Sequence, residues 1–142
     1  MRNYRLPALA VLLSLTAVPA LAAELATVYR SPSCGCCEAW VAYLKSNGFD
    51  ATVVSTEDLE AIKEKMHVPA DMQSCHTAVI AGYAVEGHVP VEAIVKLLAE
   101  KPHVTGIAAP GMPVGSPGMS GPKEAFTVFT FGPAGETAFM RF

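Results

Sequence analysis

Three cysteines crowd one short stretch of the chain, Cys34-Gly35-Cys36-Cys37, and a fourth, Cys75, stands far along the sequence. The chain holds four cysteines in all, so any sulfur chemistry must use these. Both places fall at expected strand ends, which suggests one thiolate site. Such a site can exchange electrons, bind a metal, or do both. Cys34 and Cys37 are spaced as a C-x-x-C at a helix start, where free backbone N–H groups and the helix dipole favour a thiolate. Helical register puts Cys37 on the apolar stripe and leaves Cys34 at the mouth. That asymmetry suits an attacking and a resolving thiol, and it equally suits a half-covered metal pocket.

The third sulfur shifts the balance. A dithiol redox centre gains nothing from Cys36, which would compete for disulfides with either neighbour. A metal site uses every added thiolate. Thiolates select Cu(I), Zn(II) or iron–sulfur clusters. Closed zinc sites usually draw on two well-separated pairs, whereas here three sulfurs fall within four residues. Cu(I) accepts low coordination, and one thiolate can bridge two ions, so the residues favour copper, with room for more than one ion. A structural reading also stands, because cysteines in oxidising compartments commonly form disulfides. Adjacent cysteines bridge only with a distorted backbone. The least strained pairing is Cys34 with Cys37 and Cys36 with Cys75, and both bridges would then sit at one spot.

Histidines and methionines add weaker candidates. His76 follows Cys75 directly, and His88 lies in the bend before an expected helix. Either can join the site or serve as an ordinary loop residue. Met112 and Met119 sit in a Pro/Gly-rich loop, where a thioether can close over a Cu(I) site or fill an apolar gap. His67 and His103 have only composition in their favour. Met66 reads as core, Met72 is ambiguous, and Trp40 reads as packing. No Ser/His/Asp pattern, phosphate-cradling loop or carboxylate couple with a clear role is visible.

The elements that must position these residues follow from the pattern. Leu25 to Tyr29 reads as a strand, and Gly35 to Asn47 as a helix burying Cys37, Trp40, Val41 and Leu44. A strand at Ala51 to Val54 precedes a helix capped by Thr56, with Leu59, Ile62 and Met66 as its apolar stripe. Thr77 to Ile80 and Tyr83 to Val85 read as strands. Pro90 suits the start of a third helix, whose expected buried face is Val91, Ile94, Val95 and Leu98. This order, βαβ followed by ββα, predicts an α/β, thioredoxin-like three-layer fold. An irregular loop from Ala109 to Pro122 leads into a hairpin, Phe126 to Phe131 and Thr137 to Phe142. Residues 23–108 are thus expected to form the metal-binding domain, and 109–142 an extension of it.

The first 22 residues read as an address. Arg2 and Arg5 precede the apolar run Leu6 to Val18 and the small-residue pattern Ala20-Leu21-Ala22, as in a secretory signal peptide cut after Ala22 or Ala23. The run is shorter than the ~20 residues of a spanning helix. No cysteine follows the cut to carry a lipid, and a periplasmic protein without membrane attachment is the simplest expectation. Two of the ten basic residues leave with this segment, so the mature chain carries eight basic against thirteen acidic residues, a net −5 with neutral histidines. An acidic surface argues against nucleic acid.

The motifs Ser31-Pro32-Ser33-Cys34-Gly35-Cys36-Cys37, Ser74-Cys75-His76-Thr77, Glu86-Gly87-His88-Val89-Pro90 and Gly111-Met112-Pro113-x-Gly115-Ser116-Pro117-Gly118-Met119 together resemble an exported bacterial family. That family is long catalogued as a domain of unknown function and consists of CopG-like periplasmic copper-resistance proteins. The resemblance covers nearly the whole mature chain. It implies a thioredoxin-like fold, copper as cofactor or cargo through Cys34, Cys36, Cys37 and Cys75, a role in copper tolerance, and other periplasmic copper-handling proteins as partners. Thioredoxins place a cis-proline before the strand that faces their C-x-x-C, whereas here Cys75 holds that place. This speaks against general protein-disulfide exchange. Three readings remain open: copper binding through the four cysteines, with copper redox cycling as an extension; a thiol–disulfide oxidoreductase using Cys34 and Cys37; and a structurally stapled domain.

Overall fold

A computed structural model describes residues 23–142. The expected signal peptide lies outside the described residues. Strand β1 (Leu25–Arg30) leads through Ser31-Pro32-Ser33 into helix α1 (Gly35–Ser46). Strand β2 (Asp50–Ser55) follows, then helix α2 (Leu59–Lys65) and a single 3₁₀ turn at Ala70–Met72. Strands β3 (His76–Ile80) and β4 (Tyr83–Glu86) form a hairpin before helix α3 (Val91–Glu100). The chain closes with β5 (Gly106–Ala108), β6 (Thr127–Phe131) and β7 (Thr137–Arg141). None of the described helices is long and apolar enough to cross a membrane.

All seven strands join one mixed sheet in the order β2-β1-β3-β4-β5-β6-β7. β1 runs parallel to β2 and β4 parallel to β5; the other pairings are antiparallel. The short β5 was not expected from the sequence. Three residues are too few to show alternation, yet β5 fastens the C-terminal hairpin to the main sheet. Lys96 of α3 also donates to the carbonyl of Phe139 at 3.0 Å, and Phe126 stacks on Phe142 with ring centroids 5.4 Å apart.

Strand alternation sorts the interior into two layers. Val28, Ala78, Ile80, Val85 and Ile107 pack with Trp40, Leu44, Ile94 and Leu97, so α1 and α3 cover one face. Ala84, Ala108 and Phe131 on the other face pack with Val68 and Met72, and Met66 packs against them. β3 and β4 lie in the middle of the sheet and bury nearly every residue.

Three local expectations change. The cap of α2 is Asp58, whose carboxylate accepts from the Ala61 N–H at 3.2 Å, while Thr56 Oγ1 accepts one step earlier from Asp58 N–H. The most buried residue of α2 is Lys63; Leu59, Ile62 and Met66 are half-buried. On α3 the buried face is Ala93, Ile94 and Leu97, and Val95 is 53 % exposed. Ala93 is fully buried on this side, and the Val91 N–H donates to Tyr43 Oη at 2.9 Å. That bond fixes the rotation of the first turn against α1.

Candidate metal centre

The site forms where three connections meet: the turn into α1, the loop into β3 and the bend after β4. Cys34 is the N-cap of α1 and has no side-chain capping bond. The turn before it is tied down by Arg30, which donates to the carbonyls of Ser31, Pro32 and Cys34 at 3.2, 3.3 and 3.2 Å. The same guanidinium pairs with Glu38 at 2.9 Å. One helical turn then presents Cys34, Cys36 and Cys37 to a common point. Cys37 is buried; Cys34 and Cys36 are partly open.

Cys34 and Cys37 are joined by a disulfide, while Cys36 and Cys75 are free thiols. Cys36 Sγ lies 3.5 Å from Cys34 Sγ and 3.8 Å from Cys75 Sγ. Cys75 Sγ also lies 3.6 Å from Cys37 Sγ, a contact without a proton on the disulfide side. The sulfurs of all four cysteines lie within 4.8 Å of one another. Burial, and then the neighbouring Cys36, push the Cys75 thiol up to about 11. Cys75 is therefore a neutral thiol at neutral pH until a cation replaces its proton.

Two histidines complete the surroundings. His76 and His88 are fully buried. His76 Nδ1 lies 3.4 Å and His88 Nε2 3.3 Å from Cys75 Sγ. The His76 ring sits against Trp40, with centroids 4.4 Å apart, and edge-on to His88 at 5.1 Å. Trp40 in turn donates Nε1–H to the Val89 carbonyl at 3.0 Å.

Burial, then the charges that His88 and Lys63 would place nearby, pull the His76 imidazole down to about 3 from an ordinary 6.5. Burial also lowers His88, opposed by the hydrogen bond that its Nδ1–H donates to the Pro117 carbonyl. Both shifts favour the neutral imidazole that a metal ligand requires. The linkage has a definite sign. The unfolded chain binds the His76 proton below about 6.5 and the folded chain only near 3. Stability of the metal-free protein should be unaffected by this group above pH 6.5. It should fall between pH 6.5 and about 3 at up to ~1.4 kcal/mol per pH unit. Urea unfolding across that range, compared between wild type and a folded His76→Phe variant, measures the slope; equal slopes would refute the assignment.

The Pro/Gly-rich strap from Ala109 to Pro122 closes one side. The Pro117 carbonyl lies 2.7 Å from His88 Nδ1. Gly118 has φ +84°, and a Cβ there would stand 2.7 Å from the Trp40 backbone nitrogen. Only glycine lets the strap lie this close to α1. The adjoining Met119 is half-buried, while Met112 is 39 % exposed. His103 and His67 are exposed and belong to neither group of convergent ligand atoms.

Sequence reasoning missed a second buried cluster behind the site. Lys63 pairs with Glu86, and both are almost fully buried. The Thr77 hydroxyl donates to Glu86 Oε2 at 2.6 Å, and Lys63 Nζ donates to Thr77 Oγ1 at 3.1 Å. The Ser74 N–H donates to Glu86 Oε1 at 2.6 Å, directly beside Cys75. Gly87, at φ +75°, keeps this approach open, since a Cβ there would meet Ser74 Oγ at 2.8 Å. Burial raises the Glu86 carboxyl while Lys63 and its hydrogen bonds lower it. The signal was present in the spacing: residues 59, 62, 63 and 66 follow i, i+3, i+4, i+7, so Lys63 belongs to the inward stripe. A lysine there demands a buried partner.

Comparisons with known proteins identify relatives of the chain. The family described as "Protein of unknown function, DUF411" matches residues 72–119, which span the Cys75 loop, His88 and most of the strap. A solved structure titled copper resistance protein CopG, form 2, is 41% identical, with a TM-score of 0.80. The match covers 84% of this chain and 98% of that one. Form 1 of the same protein is 41% identical with a TM-score of 0.78, covering 83% and 96%. No curated protein sequence matches the chain. At this identity and coverage, the chain belongs to the DUF411 family of CopG-like copper-resistance proteins.

Proposed function

We propose that the protein is a periplasmic copper-binding protein that holds Cu(I) through Cys34, Cys36, Cys37 and Cys75 in copper tolerance or homeostasis. One observation carries this reading: four sulfurs from two distant segments converge within 4.8 Å at a half-covered mouth. The donor set fits the ion, being all soft sulfur in a crowded arrangement that suits low coordination and bridging. The solved relatives named for copper resistance support the choice of metal. Copper is cargo in this reading, and other periplasmic copper-handling proteins would deliver or receive it.

We also assign the fold as thioredoxin-like. The order β2-β1-β3-β4 with α1 and α3 on one face supports it. Cys75 stands just before β3, where thioredoxins carry a cis-proline, and no described peptide bond is cis. Export rests on the signal-like segment at residues 1–22, and a disulfide suits an oxidising compartment.

Reduced protein titrated with Cu(I) under anaerobic conditions should retain several equivalents against a competing chelator. Cys36→Ser should lose about one equivalent or more, because Cys36 lies between Cys34 and Cys75 and no other residue replaces its sulfur. Full retention in that variant would sink the reading. A second reading, thiol–disulfide exchange, draws on the Cys34–Cys37 disulfide at the start of α1. Metal-free turnover of a disulfide substrate such as insulin, abolished by Cys34→Ser, would favour it.

A further inference from the structure

We propose that Glu86 is the positioning residue of the thiolate site, a buried carboxylate clamp that sets how far the Cys75 sulfur stands from the cysteines of α1. The clamp rests on geometry alone; its use, to hold a gap that copper then spans, rests on the copper reading above. Cys75 stands just before β3, outside the pairing of that strand with β1. Glu86 grips the chain on both sides of it. Oε1 accepts from the Ser74 N–H at 2.6 Å, just before Cys75, and Oε2 accepts from the Thr77 hydroxyl at 2.6 Å, just beyond His76. The clamp is itself anchored. The Glu86 carbonyl accepts from the Ala109 N–H at 3.0 Å, and the Gly87 N–H donates to the His76 carbonyl at 3.1 Å.

Stability alone does not account for this carboxylate. Its face of the sheet is lined by Val68, Met72, Ala84 and Phe131, and an apolar pair of like volume is often as stable there as a buried ion pair, or more so. An apolar side chain cannot accept the Ser74 N–H, and a hydrogen bond has a direction that packing lacks. Lys63 has its place in the same device. Its ammonium pairs with Glu86 and donates to Thr77 Oγ1 at 3.1 Å. That keeps the carboxylate charged, and a charged acceptor holds an N–H about twice as strongly as a neutral one. Lys63 thus acts through Glu86, and Glu86 acts through Ser74 and Thr77.

The gap that the clamp controls is short. Cys75 Sγ lies 3.8 Å from Cys36 Sγ and 3.6 Å from Cys37 Sγ. Its α1 side is held by Arg30, which donates to the Cys34 carbonyl at 3.2 Å, and by Trp40, which donates to the Val89 carbonyl at 3.0 Å. Its far side is held by Glu86. A site of this kind needs its groups kept within about 0.5 Å of the working geometry by the residues behind them. Glu86 touches none of the sulfurs, so its effect is on where Cys75 stands and not on the chemistry of the thiol.

The test needs no metal. With the Cys34–Cys37 bridge intact, Cys36 and Cys75 are the free thiols of the mature protein. Dibromobimane links two thiols that both reach its small ring, each sulfur displacing one bromide, and mass separates bridged from singly modified protein. Lys63→Met/Glu86→Leu leaves the Ser74 N–H without an acceptor, and its ratio of bridged to singly modified protein should fall about fivefold or more below wild type. Lys63→Met/Glu86→Gln is equally free of buried charge but keeps a carbonyl oxygen for that N–H, and it should bridge within about twofold of wild type. A merely structural role for the ion pair would move both double variants alike. If either fails to fold by circular dichroism, Thr77→Val, with the ion pair in place, carries the comparison and should lower the ratio about threefold. A folded leucine variant that bridges as wild type does, a glutamine variant that loses as much as the leucine one, or an unchanged Thr77→Val overturns the proposal. Anaerobic Cu(I) titration of the same proteins after reduction keeps the two readings apart, and the leucine variant should bind about tenfold more weakly. If bridging follows the expected order while even wild type retains no copper, the clamp stands and the copper reading falls. If wild type retains copper and bridging is the same throughout, the clamp falls and the copper reading stands.

Discussion

Lys63→Met should destabilise the metal-free protein by ~3–5 kcal/mol, because it leaves the Glu86 carboxylate buried without its counter-charge. The size follows from where the pair sits. Glu86 has no exposed side-chain surface and Lys63 only 4 %, so water cannot take the place of the lost ammonium. Glu86 would keep its bonds from Thr77 and the Ser74 N–H, which holds the loss within this range. The double variant Lys63→Met/Glu86→Leu should recover much of it, since removing both charges avoids an unpaired one. Urea unfolding of wild type, single and double variants closes the cycle. A single-variant loss below ~1 kcal/mol would mean that the pair is not buried in solution. The double variant should carry a functional mark of its own. The Ser74 N–H loses its acceptor, so the Cys75 loop loosens and the free thiol should alkylate faster.

Trp40→Ala should cost a comparable ~3–5 kcal/mol. Trp40 is the largest fully buried side chain, and it touches three parts of the site. Its ring is the wall against which His76 lies, its Nε1–H satisfies the Val89 carbonyl, and its backbone is the floor for Gly118. Alanine removes the wall, leaves a cavity and orphans the carbonyl. Trp40→Phe separates these effects, because it keeps most of the apolar area and loses only the N–H. It should fall between wild type and Trp40→Ala. As this is the chain's only tryptophan, unfolding must be followed by circular dichroism. Equal stability of all three proteins would show that α1 does not press on the pocket as described.

Much of this arrangement was legible in the residues, for reasons that differ by element. α1 was clear because Cys37, Trp40, Val41 and Leu44 obey one helical stripe, and all four are buried. The meeting of Cys75 with the trio followed from placing both at strand ends. The α3 face was misread because Ala93 looks neutral beside Val95, although Ala93 is the buried one of the two. β5 left no trace because Gly106-Ile107-Ala108 is defined by its neighbours and not by its own pattern. The ion pair was overlooked for a related reason. Glu86 ends β4 beside the bend that holds His88, and the charge on Lys63 hid its place in the stripe. Each residue of Glu86-Gly87-His88-Val89-Pro90 has a separate contact, and only the folded chain brings those contacts into view.

One strand links the two buried polar clusters. In β3, His76 faces α1 and Thr77 faces α2, one residue apart on opposite sides of the sheet. Shifting the strand by a single step would swap them, putting an imidazole into the chamber of the ion pair and a hydroxyl against the indole. Neither chamber tolerates the other's occupant, so each proofreads the parity of the strand on behalf of its neighbour. The charged cluster thus guards the alignment of a pocket on the opposite face of the sheet.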